Sequence, residues 1–162
     1  MTGHATPTEP TTTRPLGFYT IRIAAVFFGL SAAVEVFTAG VPVPILGAMR
    51  GGVPAAAYHV AFAVIFALIG VGLWGPARCG RRGLLLGTVI YSLDRVRYVL
   101  DLPGREAELR HQFEGFPEIL EAFSVGRLLA VGAALAGLFV LCWWGFVGYA
   151  WMRTEYFDRA PA

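Results

Sequence analysis

The sequence predicts an all-α membrane protein, a bundle of four transmembrane helices with an extracytoplasmic amphipathic helical loop between the third and the fourth. Three observations carry that prediction. Four hydrophobic stretches, at about Gly17–Ala39, Val53–Trp74, Gly83–Leu102 and Ser124–Met152, are each long enough for a hydrocarbon core of ~30 Å. Only 15% of the chain is charged, where a soluble domain carries roughly 25%. And 56% of its 162 residues are hydrophobic, with a mean hydropathy of +0.60, more apolar surface than a water-soluble core of this size covers.

Residues 1–16 precede the first span as a Thr- and Pro-rich stretch without hydrophobic period, the pattern of a disordered tail. The first span is longer than the apolar region of a secretory signal and is read as a retained helix. It stops where Pro42 and Pro44 forbid further helix. The second is free of charge from Gly51 to Ala77, enough chain for ~40 Å of helix. The third is free of charge only from Gly83 to Leu93 and then meets Asp94, Arg95 and Arg97. The fourth is uncharged from Leu128 to Met152, and residues 153–162 form a short tail.

Between the third and fourth spans, Leu109, Phe113, Phe116, Leu120 and Phe123 recur at helical spacing, with Glu106, Glu108, Glu114, Glu118 and Glu121 mostly off that face. Gly115 and Pro117 divide the segment into two pieces, with Pro117 in the first turn of the second. From Asp101 to Phe123 six acids stand against Arg105 and Arg110, so the segment suits packing over the bundle or against a partner better than an anionic lipid surface.

Orientation follows from the arginines, which make up all 13 basic residues. Four spans put Arg14, Arg22, Arg78, Arg81, Arg82, Arg153 and Arg159 on one side, with Trp74, Trp143, Trp144 and Trp151 near that interface. The positive-inside rule makes that side cytoplasmic, with both termini inside, and the expected location is a bacterial plasma membrane. A composition rich in Arg, Ala, Gly and Pro is what a GC-rich genome gives. The net charge of +2, without basic runs interleaved with aromatics, argues against nucleic acid as a partner. Small residues at four-residue spacing, Gly29 and Ala33, Gly83 and Gly87, Gly132 and Ala136, and Ala133 and Gly137, allow close helix packing within one chain or between copies.

The candidate site is a set of ionisable residues inside the spans. Glu35 and His59 lie ~8–9 Å below the outer edge, and Asp94 and Arg95 ~17–18 Å from the inner one, with Arg97 just beyond. A charge at mid-membrane costs ~2.5–3.5 kcal/mol, so such groups face inward and pair. Glu35 is expected to pair with Arg95 or Arg97, and Asp94 with Arg97 one turn along. Tyr91 and Tyr98 add hydroxyls to the Asp94 face, and Arg127 reaches down from the start of the fourth span. The cluster reads as internal braces that fix helix register, as an interfacial continuation of a third span that ends near Leu93, or as a polar pocket for a headgroup, a quinone-like ring or a proton.

Chemistry beyond that is thin. Cys79 and Cys142 form no Cys-x-x-Cys, so disulfide exchange lacks its pair. His59 is the single histidine in a span, so a haem would lack its second axial ligand; no cofactor is predicted, with haem and quinone left open. No phosphate-binding, dinucleotide, zinc-protease or hydrolase motif occurs. The leading expectation is a non-catalytic accessory or structural subunit of a membrane complex, its partners being lipid and either copies of itself or another membrane protein. The second is a small-molecule, lipid, quinone or proton-handling protein that uses the polar cluster.

Overall fold

The computed structural model describes residues 15–75 and 78–158. It is mostly helical, in the order α1 (Phe18–Phe37), β1 (Val43–Ile45), β2 (Ala48–Arg50), α2 (Val53–Trp74), α3 (Arg78–Leu100), α4 (Leu102–Gln112), α5 (Pro117–Ala122), α6 (Val125–Met152) and α7 (Thr154–Asp158). The tail expected over residues 1–16 lies almost wholly outside the described residues.

Local sequence explains the helix ends. Pro54 sits in the first turn of α2, where its missing N–H deprives nothing of a partner. Ser124 caps α6 by accepting from the Arg127 N–H at 3.4 Å, and Asp101 caps α4 by accepting from Gly104 at 3.1 Å. At the other end of α1, the Thr38 hydroxyl donates to the Val34 carbonyl at 2.9 Å, one of the carbonyls the helix leaves unpaired.

The long helices pack in series, α1 on α2, α2 on α3 and α3 on α6, whereas α1 and α6 meet chiefly through side chains. Lipid tails are as apolar as leucine, so helix association in a membrane rests on close contact rather than on escape from water. Glycines supply that contact. Gly70 faces the Ala25 carbonyl and the Gly29 amide of α1, where a Cβ would come within 3.1 and 3.3 Å. Gly72 and Gly80 lie backbone against backbone, and a Cβ on Gly80 would collide with the Gly72 carbonyl. Of the predicted small-residue pairs, Gly87 lies under Ile65 and Ile69, while Gly29 offers only its amide to Gly70 and a Cβ on it would meet open space. Gly83 and Gly137 face open space.

Around these contacts lies a core of Ile21, Phe28, Phe66, Leu73, Trp143 and Val147, closed at one end by Tyr156 and Phe157. These last two belong to α7, in a stretch the sequence reads as a plain tail. α7 folds back so that the Tyr156 hydroxyl donates to the Leu73 carbonyl at 2.7 Å, satisfying a carbonyl in the last turn of α2.

The opposite end adds one short hairpin to an otherwise all-α fold. Between α1 and α2 the chain forms an antiparallel hairpin, pairing Val43 with Arg50, Pro44 with Met49 and Ile45 with Ala48. Its two-residue turn, Leu46-Gly47, has positive φ at both positions, 51° and 81°, the backbone of a type I′ turn. Leucine seldom adopts that conformation, and the usual Asn-Gly or Asp-Gly signal is absent, so the prolines read only as helix breakers. The hairpin packs on α4, and the Asp101 carboxylate accepts from the Gly47 N–H at 2.9 Å. The division of the outer segment follows expectation, with α4 and α5 separated around Gly115 and Pro117 in the first turn of α5. Its apolar face is only partly covered: Leu109, Phe113 and Leu120 are half-buried, Phe116 and Phe123 exposed.

Among the described residues three helices, α1, α2 and α6, are long and apolar enough to cross a membrane, which is compatible with a membrane location. The stretch expected as the third span, Gly83–Leu102, lies mostly in α3. That helix has the length, at 23 residues, but its arginines and Asp94 remove it from the apolar set. Large apolar side chains such as Ile23, Leu30, Leu68, Val71, Leu135 and Leu141 lie exposed along the outside of the other three, the surface that lipid would cover.

Candidate functional site: a polar cluster at an open cleft

At the hairpin end, α1, α2 and α3 bring their ionisable residues together as two linked sets. In the first, His59 Nδ1 lies 2.7 Å from Glu35 Oε2 and 3.3 Å from Thr38 Oγ1, and Nε2 lies 3.2 Å from the Val41 carbonyl. His59 is buried. The helix period places it on the face of α2 that packs against α1, and the chain leaving α1 brings Val41 over its far nitrogen.

In the second set Asp94 is the hub. It accepts from Arg95 Nη2 at 2.6 Å, from Arg95 Nε at 3.1 Å, from Arg97 Nη2 at 3.1 Å and from the Tyr58 hydroxyl at 2.9 Å. Arg95 Nη2 also donates to the Tyr58 oxygen at 2.9 Å, closing a ring of three side chains. Its guanidinium lies over the Tyr91 and Tyr98 rings, 5.1 and 5.2 Å from their centroids. Arg97 reaches on to the Pro44 carbonyl of the hairpin at 3.4 Å.

The geometry therefore redraws part of the predicted pairing. Asp94 and Arg97 join as expected at i, i+3. Glu35 joins His59 rather than an arginine. The phenol on Asp94 is Tyr58, whereas Tyr98 donates to Glu108 of α4 at 2.6 Å and Tyr91 stacks on Trp143 at 4.4 Å. Arg127 is exposed in the first turn of α6, and no hydrogen bond or ion pair among the described residues joins its side chain to the cluster. Two contributors escaped the sequence reading. Tyr58 had a signal, since it stands beside His59 in an otherwise apolar span. Arg105, read only as a loop charge, is buried and donates to the carbonyls of Val99 and Leu129, pinning α4 across the ends of α3 and α6. Just beyond α3, the Asp101 carboxyl is held below the usual carboxylate range, first by the Gly47 N–H and further by the Gly104 N–H and Arg97.

Because α1 and α6 do not pack backbone to backbone, a cleft runs between them. Its lower part, about 380 Å³, is lined by Thr20, Ile23, Phe27, Cys142, Trp143 and Phe146 among others and is almost wholly apolar. Its upper part, about 410 Å³, shares Phe27, Phe139 and Trp143 with the lower and ends at Ser31, Glu35, Tyr91 and Arg95. Trp143 is buried, and its indole N–H has no acceptor among the described residues. The cleft is thus an apolar trough with polar groups at one end. Among the described residues no three His, Cys, Asp or Glu side chains gather closely enough to hold a metal ion. No protein-family model, curated protein or solved structure matches the chain at a significant level.

Proposed function

We propose that the chain is a four-span integral membrane protein that binds one elongated amphiphile, a lipid or an isoprenoid-tailed molecule, in the cleft between α1 and α6. One observation carries this reading: the cleft is apolar along its length and polar only where Glu35 and Arg95 line it. From Thr20 to Glu35 it follows α1 for ~22 Å, most of one hydrocarbon core. Pockets for small molecules have this character, a mainly apolar lining with a few placed polar groups that fix orientation.

The fourth span in this reading is α3. It lies between α2 and α6, and its intramembrane charges are paired with one another and with Tyr58, as buried ionisable groups in a bundle must be. The arginine distribution supports a plasma membrane of bacterial type with both termini cytoplasmic. So do the cation–aromatic pairs at the end opposite the hairpin, with Arg22 4.2 Å from the Trp74 ring and Arg81 5.5 Å from that of Trp151.

The test is native mass spectrometry of protein extracted in neutral detergent, beside an Ala24→Phe variant that fills the cleft. The expected result is one amphiphile per chain, lost from the variant while the variant stays folded. A co-purifying protein with no amphiphile on either form would overturn the reading and favour an accessory subunit whose partner covers the trough.

A further inference from the structure

His59 is buried with an oxygen at each ring nitrogen. A carbonyl only accepts, so the 3.2 Å contact from Nε2 to Val41 requires a hydrogen on Nε2. At Nδ1 the neighbours are Glu35 Oε2 at 2.7 Å and Thr38 Oγ1 at 3.3 Å, and the Thr38 hydroxyl hydrogen is directed at the Val34 carbonyl. The short Nδ1–Oε2 contact therefore also contains a proton, on the ring or on the carboxyl, and either way the pair is neutral as a whole. Glu35 lines the cleft, so this shared proton sits in its wall.

Arg95 lines the same end of the cleft. Its Nε and Nη2 hydrogens go to Asp94 and Tyr58, but no described residue accepts from Nη1. Two guanidinium N–H groups without an acceptor at the edge of lipid are unfavourable, and an acidic oxygen of a bound molecule would accept from Nη1 in a charge-assisted hydrogen bond.

Resting on the reading of the cleft as an amphiphile site, we propose that its ligand bears an acidic headgroup, carboxylate or phosphodiester, held by Arg95, and that binding is coupled to the proton shared by Glu35 and His59. When that proton leaves, the pair becomes a negative charge in the wall of a low-dielectric cleft that holds a second negative charge, and the ligand is repelled. Linkage makes the effect reciprocal, so bound ligand retains the proton. The groups facing the pair have fixed roles in this scheme. They are Tyr58 on α2, Tyr91, Asp94 and Arg95 on α3, and the Thr38 hydroxyl and Val41 carbonyl on the connection. Farther out, Arg97 faces Asp94 and Asp101, and Glu108 takes the Tyr98 hydroxyl. On the cleft side α6 presents only Phe139 and Trp143.

The experiment is titration of the full chain in neutral detergent with a phosphatidylglycerol and a phosphatidylcholine of equal chain length, and with a fatty acid, from about pH 5 to pH 8. Phosphatidylglycerol keeps one charge throughout, so any pH dependence of its binding belongs to the protein, and comparison with the fatty acid separates a phosphodiester from a carboxylate ligand. Expected are at least about tenfold tighter binding of an acidic headgroup than of phosphatidylcholine at the acid end, and weakening by up to about tenfold per pH unit above the midpoint, the slope of one proton. Glu35→Gln places an amide N–H on Nδ1 and has no proton to lose, so it should bind tightly at every pH. Arg95→Gln should lose the headgroup preference and keep chain binding, and Arg95→Lys should retain the preference. Equal binding of acidic and zwitterionic lipids, or an unchanged pH slope in Glu35→Gln, overturns the inference while leaving the amphiphile site standing. Binding that Ala24→Phe does not block removes the site itself.

Discussion

The two ends of the bundle are built on different principles. At the end holding Gly72, Gly80 and Tyr156, backbones touch, aromatic rings from α7 close the core, and the Leu73 carbonyl accepts from the Tyr156 hydroxyl. At the hairpin end the helices carry charges, the cleft between α1 and α6 ends in polar groups, and order is kept by side chains that answer one another across three helices. Packing needs only shape, and it tolerates little change. A polar network needs partners for its charges, and the donors it leaves unmet can be offered to a ligand, a use that packing lacks. In the proposed function, the closed end holds the fold and the polar end holds the site.

The sharpest way to break that contrast is at Asp94. Both Arg95 and Arg97 depend on it, and its side chain is 11% exposed, theirs 26% and 33%. Removing one partner of a buried pair costs ~3–5 kcal/mol, and the partial exposure of the arginines puts Asp94→Ala at the low end, about 3 kcal/mol. Thermal unfolding in detergent should show this loss, and the ring of Tyr58, Asp94 and Arg95 should open. A loss below about 1 kcal/mol would mean that water or headgroups already serve the arginines, and the polar end would then be surface rather than interior.

The next test acts on the closed end. Gly80→Ala sets a methyl against the Gly72 carbonyl, and neither backbone can rotate away. Overpacking typically costs ~1–3 kcal/mol, and about 2 is expected here. The variant should unfold earlier yet keep the pH dependence and headgroup preference of the native chain, because the strain lies at the far end of α2 and α3 from Glu35 and Arg95. Loss of ligand binding at unchanged stability would show that the two ends are not separable.

The division of labour also sets what could be read from the sequence. Helix positions were legible because long apolar runs have few alternatives, and the break at Gly115 and Pro117 was legible because proline suits a first turn. The expected depths of Glu35, His59, Asp94, Arg95 and Arg97 pointed to one end of the helices, and these residues do gather at the hairpin end. Their partners could not be read off. Whether Glu35 meets His59 or an arginine depends on the rotation of α1 about its own axis, and three apolar faces around that helix leave the rotation unspecified. The hairpin was hidden by its atypical turn, and α7 by its length of five residues. The cleft was invisible because it arises from the absence of close backbone packing between α1 and α6, and a missing approach leaves no pattern in either helix.

The smallest expected effect sits at Asp101, which ties the polar end to its cover. The carboxylate accepts from Gly47 in the hairpin turn and from Gly104 in the first turn of α4, and these bonds favour its charged form. A group whose folded value is lowered stabilises the fold above its unfolded pKa of ~3.9, and that contribution is lost as the pH falls through the folded value. The hairpin should therefore stay docked through the ordinary carboxylate range and loosen only below it. The Gly47 amide proton in an NMR titration reports this directly: its resonance should hold its downfield position until the pH is below ~3.9 and then move upfield. In Asp101→Asn, which keeps a weaker neutral acceptor, the upfield position should appear at every pH. Movement of the native resonance at or above the ordinary carboxylate range would show that the Gly47 bond does not favour the charged form, and that the hairpin is held by its packing on α4 instead.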